Sequence, residues 1–188
     1  MPTNAELALM KIRKNAARSA TKFFKQVKTV RSTNNPFAFT TAADQLILNQ
    51  YRNNNPDTIV QAFHDAASTG IGNCDEKGRI CYAALRSNPL ILGNSHVSLV
   101  QAVNYDHVFV VVADAQVAGQ INLNQLGVTA MIVDGWTEDW YFPNISFIDA
   151  KLNSLGNTPN PRQLYVRIQI ENHQFEPYGG VGNMVPDM

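Results

Sequence analysis

Asp106-His107-Val108-Phe109-Val110-Val111-Val112 is the stretch that decides the fold class. From Val108 to Val112 every residue is apolar, so neither side of the strand can face water, which marks a central strand covered on both faces. Working outward, Val97 to Val103 alternates towards a strand, Val128 to Val133 gives another, and Leu164 to Ile170 a further one. In the last of these Val166, Ile168 and Ile170 face one way, and Arg167 and Gln169 the other. Upstream the period changes. Residues 4 to 31 read as a long helix with Leu7, Met10, Phe23, Phe24 and Val27 inward. Thr41 to Tyr51 reads as a second, with Leu46, Ile47 and Tyr51 inward. Asp57 to Ala67 reads as a third, burying Ile59, Val60 and Phe63, with Asn55 as cap and Pro56 at its first position. Helices first and strands afterwards predict an α+β fold, N-terminal helices packed on an antiparallel sheet of about four strands. The expected organisation is a basic N-terminal helix over 1–35, a core domain over 36–176, and a loose Gly- and Pro-rich tail over 177–188.

The chain has 188 residues, 45% hydrophobic and 16% charged, which is the composition of a globular domain. Lys plus Arg and Asp plus Glu both number 15, so the net charge is zero and gives no reason to expect nucleic acid. The basic residues are nevertheless crowded at one end. Lys11, Arg13, Lys14, Arg18, Lys22, Lys25, Lys28 and Arg31 share a segment in which Glu6 is the only acid. This predicts a solvated amphipathic face, or a docking surface for an acidic protein or an anionic membrane. No apolar run approaches the roughly 20 residues of a membrane span. Leu7 to Ile12 is too short for a signal peptide and contains Lys11. Two cysteines seven positions apart on one helix would be separated by about 10 Å of rise, beyond the roughly 7 Å Cα spacing a disulfide tolerates. A soluble protein of a reduced, cytoplasmic compartment is expected, with export that needs no cleavable signal left open.

Gly72-Asn73-Cys74-Asp75-Glu76 carries the first chemical signal. Asn73 is a good N-cap and Glu76 falls where a capping box needs it, which puts Cys74 in the first turn of a helix. There, free N–H groups and the helix dipole favour a thiolate. His107 supplies the second signal, at the mouth of the most apolar strand, rigidly held yet reachable, as a general base should be. Asp134 supplies the third, at the end of Met131-Ile132-Val133 and followed by Gly135 and Trp136. A carboxylate there can accept from an imidazole, fix its tautomer and stabilise the imidazolium, with Trp136 shielding the contact. Glu138 and Asp139 are nearby competitors for the same role. His64, His96 and His173 have weaker contexts.

In this order the motifs resemble the papain-like and transglutaminase-like cysteine enzymes, most of all the branch found among bacterial effectors that modify host proteins. The matching residues are Gly72, Asn73, Cys74 and Glu76, then Asp106, His107, Phe109, Val110 and Val111, then Val133, Asp134 and Trp136. The resemblance implies Cys74 as nucleophile, His107 as base and Asp134 as orienting carboxylate within a catalytic domain over 36–176, and it implies no cofactor and no metal. Asp75 stands where the pattern often has Gly, and Gly135 where Pro is common. The six residues before Cys74 contain no glutamine to fill an oxyanion hole, so the backbone N–H of Cys74 would serve, with the Asn73 side chain as a candidate second donor. Gly72 and Trp136 complete the expected oxyanion and substrate-binding set.

The implied reaction is cysteine-dependent acyl transfer on a protein amide, foremost deamidation or transglutamination of a glutamine side chain in a host or partner protein. A cysteine protease is the alternative within the same chemistry. A non-catalytic binding module working through the basic helix is the alternative outside it. A metal site from Cys74, Cys81 and His107 is disfavoured, because two thiols seven apart on a helix do not readily chelate one ion. Specificity is expected in the loops between Gly93 and Tyr105, between Ala113 and Gly127, and after Trp136.

Overall fold

The computed structural model describes residues 2–27, 32–33, 41–54, 59–145 and 158–178. Among the described residues six α-helices precede, interrupt and follow a sheet: α1 (Asn4–Val27), α2 (Ala42–Asn54), α3 (Ile59–Thr69), α4 (Cys74–Arg86), the single turn α5 (Pro89–Leu92), and α6 (Pro161–Asn172). The strands are β1 (His96–Ala102), β2 (Val108–Ala113), β3 (Met131–Asp134), β4 (Asp139–Tyr141) and β5 (Phe175–Pro177). They form one antiparallel sheet in the order β4-β3-β2-β1-β5. The fold is therefore α+β, as the change of period predicts, with five strands rather than about four.

Local chemistry explains where the helices start. Thr3 and Glu6 cap α1 reciprocally: the Thr3 N–H donates to the Glu6 carboxylate at 2.6 Å, and the Glu6 N–H to Thr3 Oγ1 at 3.3 Å. Thr41 and Asp44 repeat the device for α2, and Asn160 and Gln163 for α6.

Both faces of the sheet are covered, which is why β2 is buried along its whole length. On one face α4 lays Ile80, Cys81 and Leu85 against Leu99, Val110, Val112, Met131 and Val133, and α1 adds Met10, Ala16, Ala17 and Ala20 to that core. On the other face Val166 and Ile170 of α6 join Val100, Phe109, Val111, Ile132, Tyr141 and Phe175. Gly78 allows α4 to sit close. A Cβ there would lie 3.1 Å from Val108 Cγ1 and 3.3 Å from Leu99 Cδ1.

Several expectations are corrected. Leu164 to Ile170 is helix, not strand. Asn160 caps it, Pro161 occupies the first turn, and Gln163, Val166, Arg167 and Ile170 form its buried stripe at helical spacing. Ile168, expected inside, is 44% exposed, and Arg167, expected outside, is buried. In α2, Leu46 points to solvent at 63% exposure and Leu48 is buried instead. Arg13 is not part of a solvated face but fully buried. Pro177 lies in β5, paired with Val100, rather than in a loose tail. The side chains of Phe23, Phe24, Val27, Ile59, Val60 and Phe63, the Asn55-Pro56 cap and the tail beyond Tyr178 lie outside the described residues. No described helix is long and apolar enough to cross a membrane.

Candidate active site

The segment before α4 is held from several directions. Gly70, at φ +69°, ends α3 with a backbone conformation that favours glycine. Asn73 is extended and caps α4, and its N–H donates to Glu76 Oε2 at 2.8 Å. Glu76 is itself gripped in a fork by Arg52 of α2, Nε to Oε1 at 2.8 Å and Nη2 to Oε2 at 3.1 Å. The Asn73 side chain turns to Thr33, accepting its N–H at 2.9 Å and donating to its Oγ1 at 3.1 Å. Ser32 Oγ donates to the Gly72 carbonyl. Cys74 thus begins a helix whose start is fixed by α2 and by residues 32–33.

His107 enters through the β1–β2 hairpin. Asn104 takes φ +62° at the turn, and the Ala102 N–H donates to the His107 carbonyl at 2.9 Å. The His107 ring is buried among three aromatic rings: Tyr105 at 5.9 Å, Phe109 at 5.9 Å and Trp136 edge-on at 5.7 Å. Its Nε2 lies 3.4 Å from Asp134 Oδ2, an ion-pair contact too long for a well-formed hydrogen bond. With Nε2 turned to Asp134, Nδ1 is the nitrogen left for the Cys74 thiol, which lines the same cleft and acts on the ring electrostatically.

Asp134 ends β3 and its carboxylate is otherwise satisfied by its own turn. Oδ1 accepts from the Trp136 N–H at 2.9 Å, and Oδ2 from Thr137 Oγ1 at 2.6 Å. Gly135 makes that turn possible, because a Cβ there would lie 2.7 Å from the Lys77 carbonyl oxygen on α4.

The electrostatics follow from these contacts. Burial alone would lower the His107 pKa, but the Asp134 charge and then the Cys74 thiol more than offset it, raising it to about 10. Burial would raise the Asp134 pKa; His107, Thr137 and the Trp136 N–H outweigh it and hold the carboxyl below its ordinary value. Cys81 is a contrasting thiol, fully buried and pushed far up by burial and by the Asp134 charge. Both cysteines are free.

Cys74 and His107 line an open cleft of ≈ 820 Å³, together with Asp75, Tyr105, Asp106 and Glu176 among others. Asp134 lies behind His107. The structure therefore brings Cys74, His107 and Asp134 together, with Asn73 at the cleft edge and Gly72 buried beside it. Trp136 packs edge-on against His107 and is not part of the cleft lining. Besides Arg52 and residues 73–75, the cleft is lined by residues 101–108 and by Glu176 and Tyr178. The competitor Asp139 is committed elsewhere. It lies in β4, buried, and takes both nitrogens of Arg167 at 2.7 and 2.9 Å.

Sequence reasoning missed Thr137, Arg52 and Tyr105. Thr137 carried a local signal, a hydroxyl three residues after an Asp at a strand end. Arg52 carried none, because its partner is 24 positions away. Tyr105 stacks between His107 and His173, a contact that needs the α6–β5 connection in place. Among the described residues no three His, Cys, Asp or Glu side chains are grouped to hold a metal ion.

No protein-family model, curated protein or solved structure matches this chain.

Proposed function

We propose that the chain is a thiol-dependent acyl-transfer enzyme acting on amides of protein substrates, with Cys74 as nucleophile, His107 as general acid and base, and Asp134 as the carboxylate that orients His107. One observation carries this reading. Cys74 and His107 meet on the wall of one cleft, while a buried carboxylate meets the far nitrogen of the same imidazole.

The chemistry follows from that arrangement. Sγ of Cys74 attacks the amide carbonyl carbon. The N–H groups of Cys74 and Asp75 have no acceptor within their helix, and the oxyanion forms against them at the positive end of the helix dipole. The protonated His107 delivers its Nδ1 proton to the departing nitrogen, and a thioester remains on Cys74. Acylation removes the thiol's contribution to the raised His107 pKa, so the imidazolium gives up its proton more readily and the neutral ring needed to accept a proton from water is more populated at that stage. Neutral His107 then takes a proton from water, whose oxygen attacks the thioester. The products are a carboxylic acid and the regenerated thiol. A glutamine side chain as substrate releases ammonia, and this substrate is favoured by the resemblance of the three motifs to enzymes of that kind.

The test is alkylation of Cys74 by iodoacetamide across pH, read by mass spectrometry in the wild type and in His107→Ala, with Cys81 as internal control. Cys74 should label at least about tenfold faster than Cys81 and lose most of that advantage without His107. Equal labelling of the two thiols, indifferent to His107, overturns the reading and returns attention to a binding role for the basic helix. Ammonia release from glutamine-containing proteins, absent in Cys74→Ala, then separates deamidation from cleavage of the main chain.

A further inference from the structure

The contact between His107 and Asp134 is long, so its strength depends on small displacements of the turn at residues 134–137. What holds that turn is not the sheet alone. Three inward-facing residues of α6 each grasp a residue at or after it. Arg162 Nη2 donates to the Trp136 carbonyl at 3.1 Å. Gln163 Nε2 donates to the Thr137 carbonyl at 3.1 Å. Arg167 pairs with Asp139. Trp136 and Thr137 are in turn the two residues that donate to the Asp134 carboxylate.

Arg162 is the unusual member. Its guanidinium lies over the Trp136 ring at 4.3 Å from the centroid, a cation–π contact. Its Nε is buried without a hydrogen-bond partner, and the Asp134 and Glu138 charges act on it through space without a salt bridge among the described residues. An arginine kept partly desolvated with no salt bridge spends its contacts on Trp136: the guanidinium over the indole and one nitrogen on the carbonyl.

We propose that Arg162 is a positioning residue: it clamps Trp136 from α6, and Trp136 in turn holds the Asp134 carboxylate and the His107 ring in register for Cys74. The inference rests on the acyl-transfer reading for its consequence, but not for its geometry. Trp136 transmits the clamp in two ways, through its backbone N–H on Asp134 Oδ1 and through its ring edge on the His107 imidazole. The Arg162 bond to the Trp136 carbonyl bears on the first, and its guanidinium over the indole on the second.

The experiment compares the wild type with Arg162→Leu, Arg162→Lys, Trp136→Leu and the Arg162→Leu/Trp136→Leu double variant. Two quantities are read: the pH profile of Cys74 alkylation, and the His107 titration midpoint by NMR. Thermal melts confirm that each variant is folded. Arg162→Leu should slow Cys74 alkylation at neutral pH by about tenfold, a reasonable cost for a displaced orienting group, and lower the His107 midpoint. In the Trp136→Leu background the same substitution should have a smaller effect, because the ring contact is already gone and only the bond to the main-chain carbonyl of residue 136 remains to be lost. Arg162→Lys keeps the charge without the plane and should recover only a minor part of the loss. If Arg162→Leu does not fold, the lysine variant carries the test by the same two readouts. Wild-type behaviour in both single variants at Arg162, or full additivity in the double variant, overturns the proposal. If wild-type labelling is itself indifferent to His107→Ala, the acyl-transfer reading fails separately. The clamp is then judged on the His107 midpoint, which Arg162→Leu must still lower.

Discussion

At the scale of single residues, Gly135 and His107 show how little slack the site has. Any side chain at 135 must push the β3–β4 turn off the α4 backbone, since the Lys77 carbonyl oxygen lies 2.7 Å from a Cβ placed there and cannot move without breaking the helix. Gly135→Ala should therefore destabilise the fold by about 1–3 kcal/mol, as overpacking does. It should also slow Cys74 alkylation, because Asp134 moves with the turn. Retained alkylation with a lowered melting temperature would mean that the turn yields elsewhere. For His107 the sign is fixed by its raised folded pKa, from 6.5 to about 10. The folded state binds the proton more tightly than the unfolded chain does. The stabilisation is therefore complete below about pH 6.5, shrinks as pH rises, and is gone above about pH 10. Asp134, held below its ordinary 3.8, contributes above that value and loses its contribution as pH falls through the folded pKa. The melting-temperature gap between wild type and His107→Ala should be widest between about pH 4 and 6.5 and narrow steadily towards pH 10. A gap independent of pH would show that folding leaves the His107 pKa unchanged.

At the scale of elements, α6 is where the reading of the sequence and the structure part company. The alternation of Val166, Ile168 and Ile170 has a strand's period, but Asn160, Pro161 and Gln163 supply a helix start in sequence, and the start prevails. Its charged member is then turned inward. Arg167 and Asp139 form an ion pair with side chains 4% and 2% exposed, and the guanidinium also covers the Tyr141 ring at 4.3 Å. Arg167→Leu leaves Asp139 buried without its partner and should cost about 3–5 kcal/mol in urea unfolding. Adding Asp139→Leu should recover much of that, since the pair replaced by apolar groups is far less costly than a lone buried charge. A double variant no more stable than the single would show that the pair, not the isolated charge, is what the fold needs. The candidate site was legible because Cys74, His107 and Asp134 each stand at an element boundary with a local signature: a cap, the mouth of a buried strand, the end of a strand. Its supports were not. Arg52 on Glu76, Arg162 on Trp136 and Gln163 on Thr137 are contacts between distant parts of the chain, and no local period encodes them.

At the scale of the whole molecule, the basic N-terminal helix is structural as well as charged. Met10, Ala16, Ala17 and Ala20 share the core that holds Cys74, Cys81 and Val133. The small alanines let α1 lie close to α4, and Arg13 locks the docking from within. Its Nε donates to Ser95 Oγ, Nη1 to the Thr129 carbonyl and hydroxyl, and Nη2 to Asp114 at 2.6 Å. A buried arginine with every bond directed at the loops bordering β1, β2 and β3 acts as a tie between the helix layer and the sheet, while Lys11, Arg18 and Lys22 remain exposed outside. Arg13→Met keeps the volume but loses these bonds, leaving the Thr129 groups without their donor. It should lower stability by about 2 kcal/mol and leave Cys74 alkylation unchanged, because none of Arg13's partners belongs to the candidate site. Deleting residues 1–27 is the stronger test of whether 36–176 stands alone. Removing α1 exposes one side of α4 to water, and Cys81, fully buried in the intact chain, loses part of its cover. The truncated chain should melt without a sharp transition, and its Cys81 should alkylate as readily as an unfolded thiol. A sharp melt with Cys81 still protected and Cys74 still dependent on His107 would make α1 an appendage. The charge on its outer face would then be the reason for its presence.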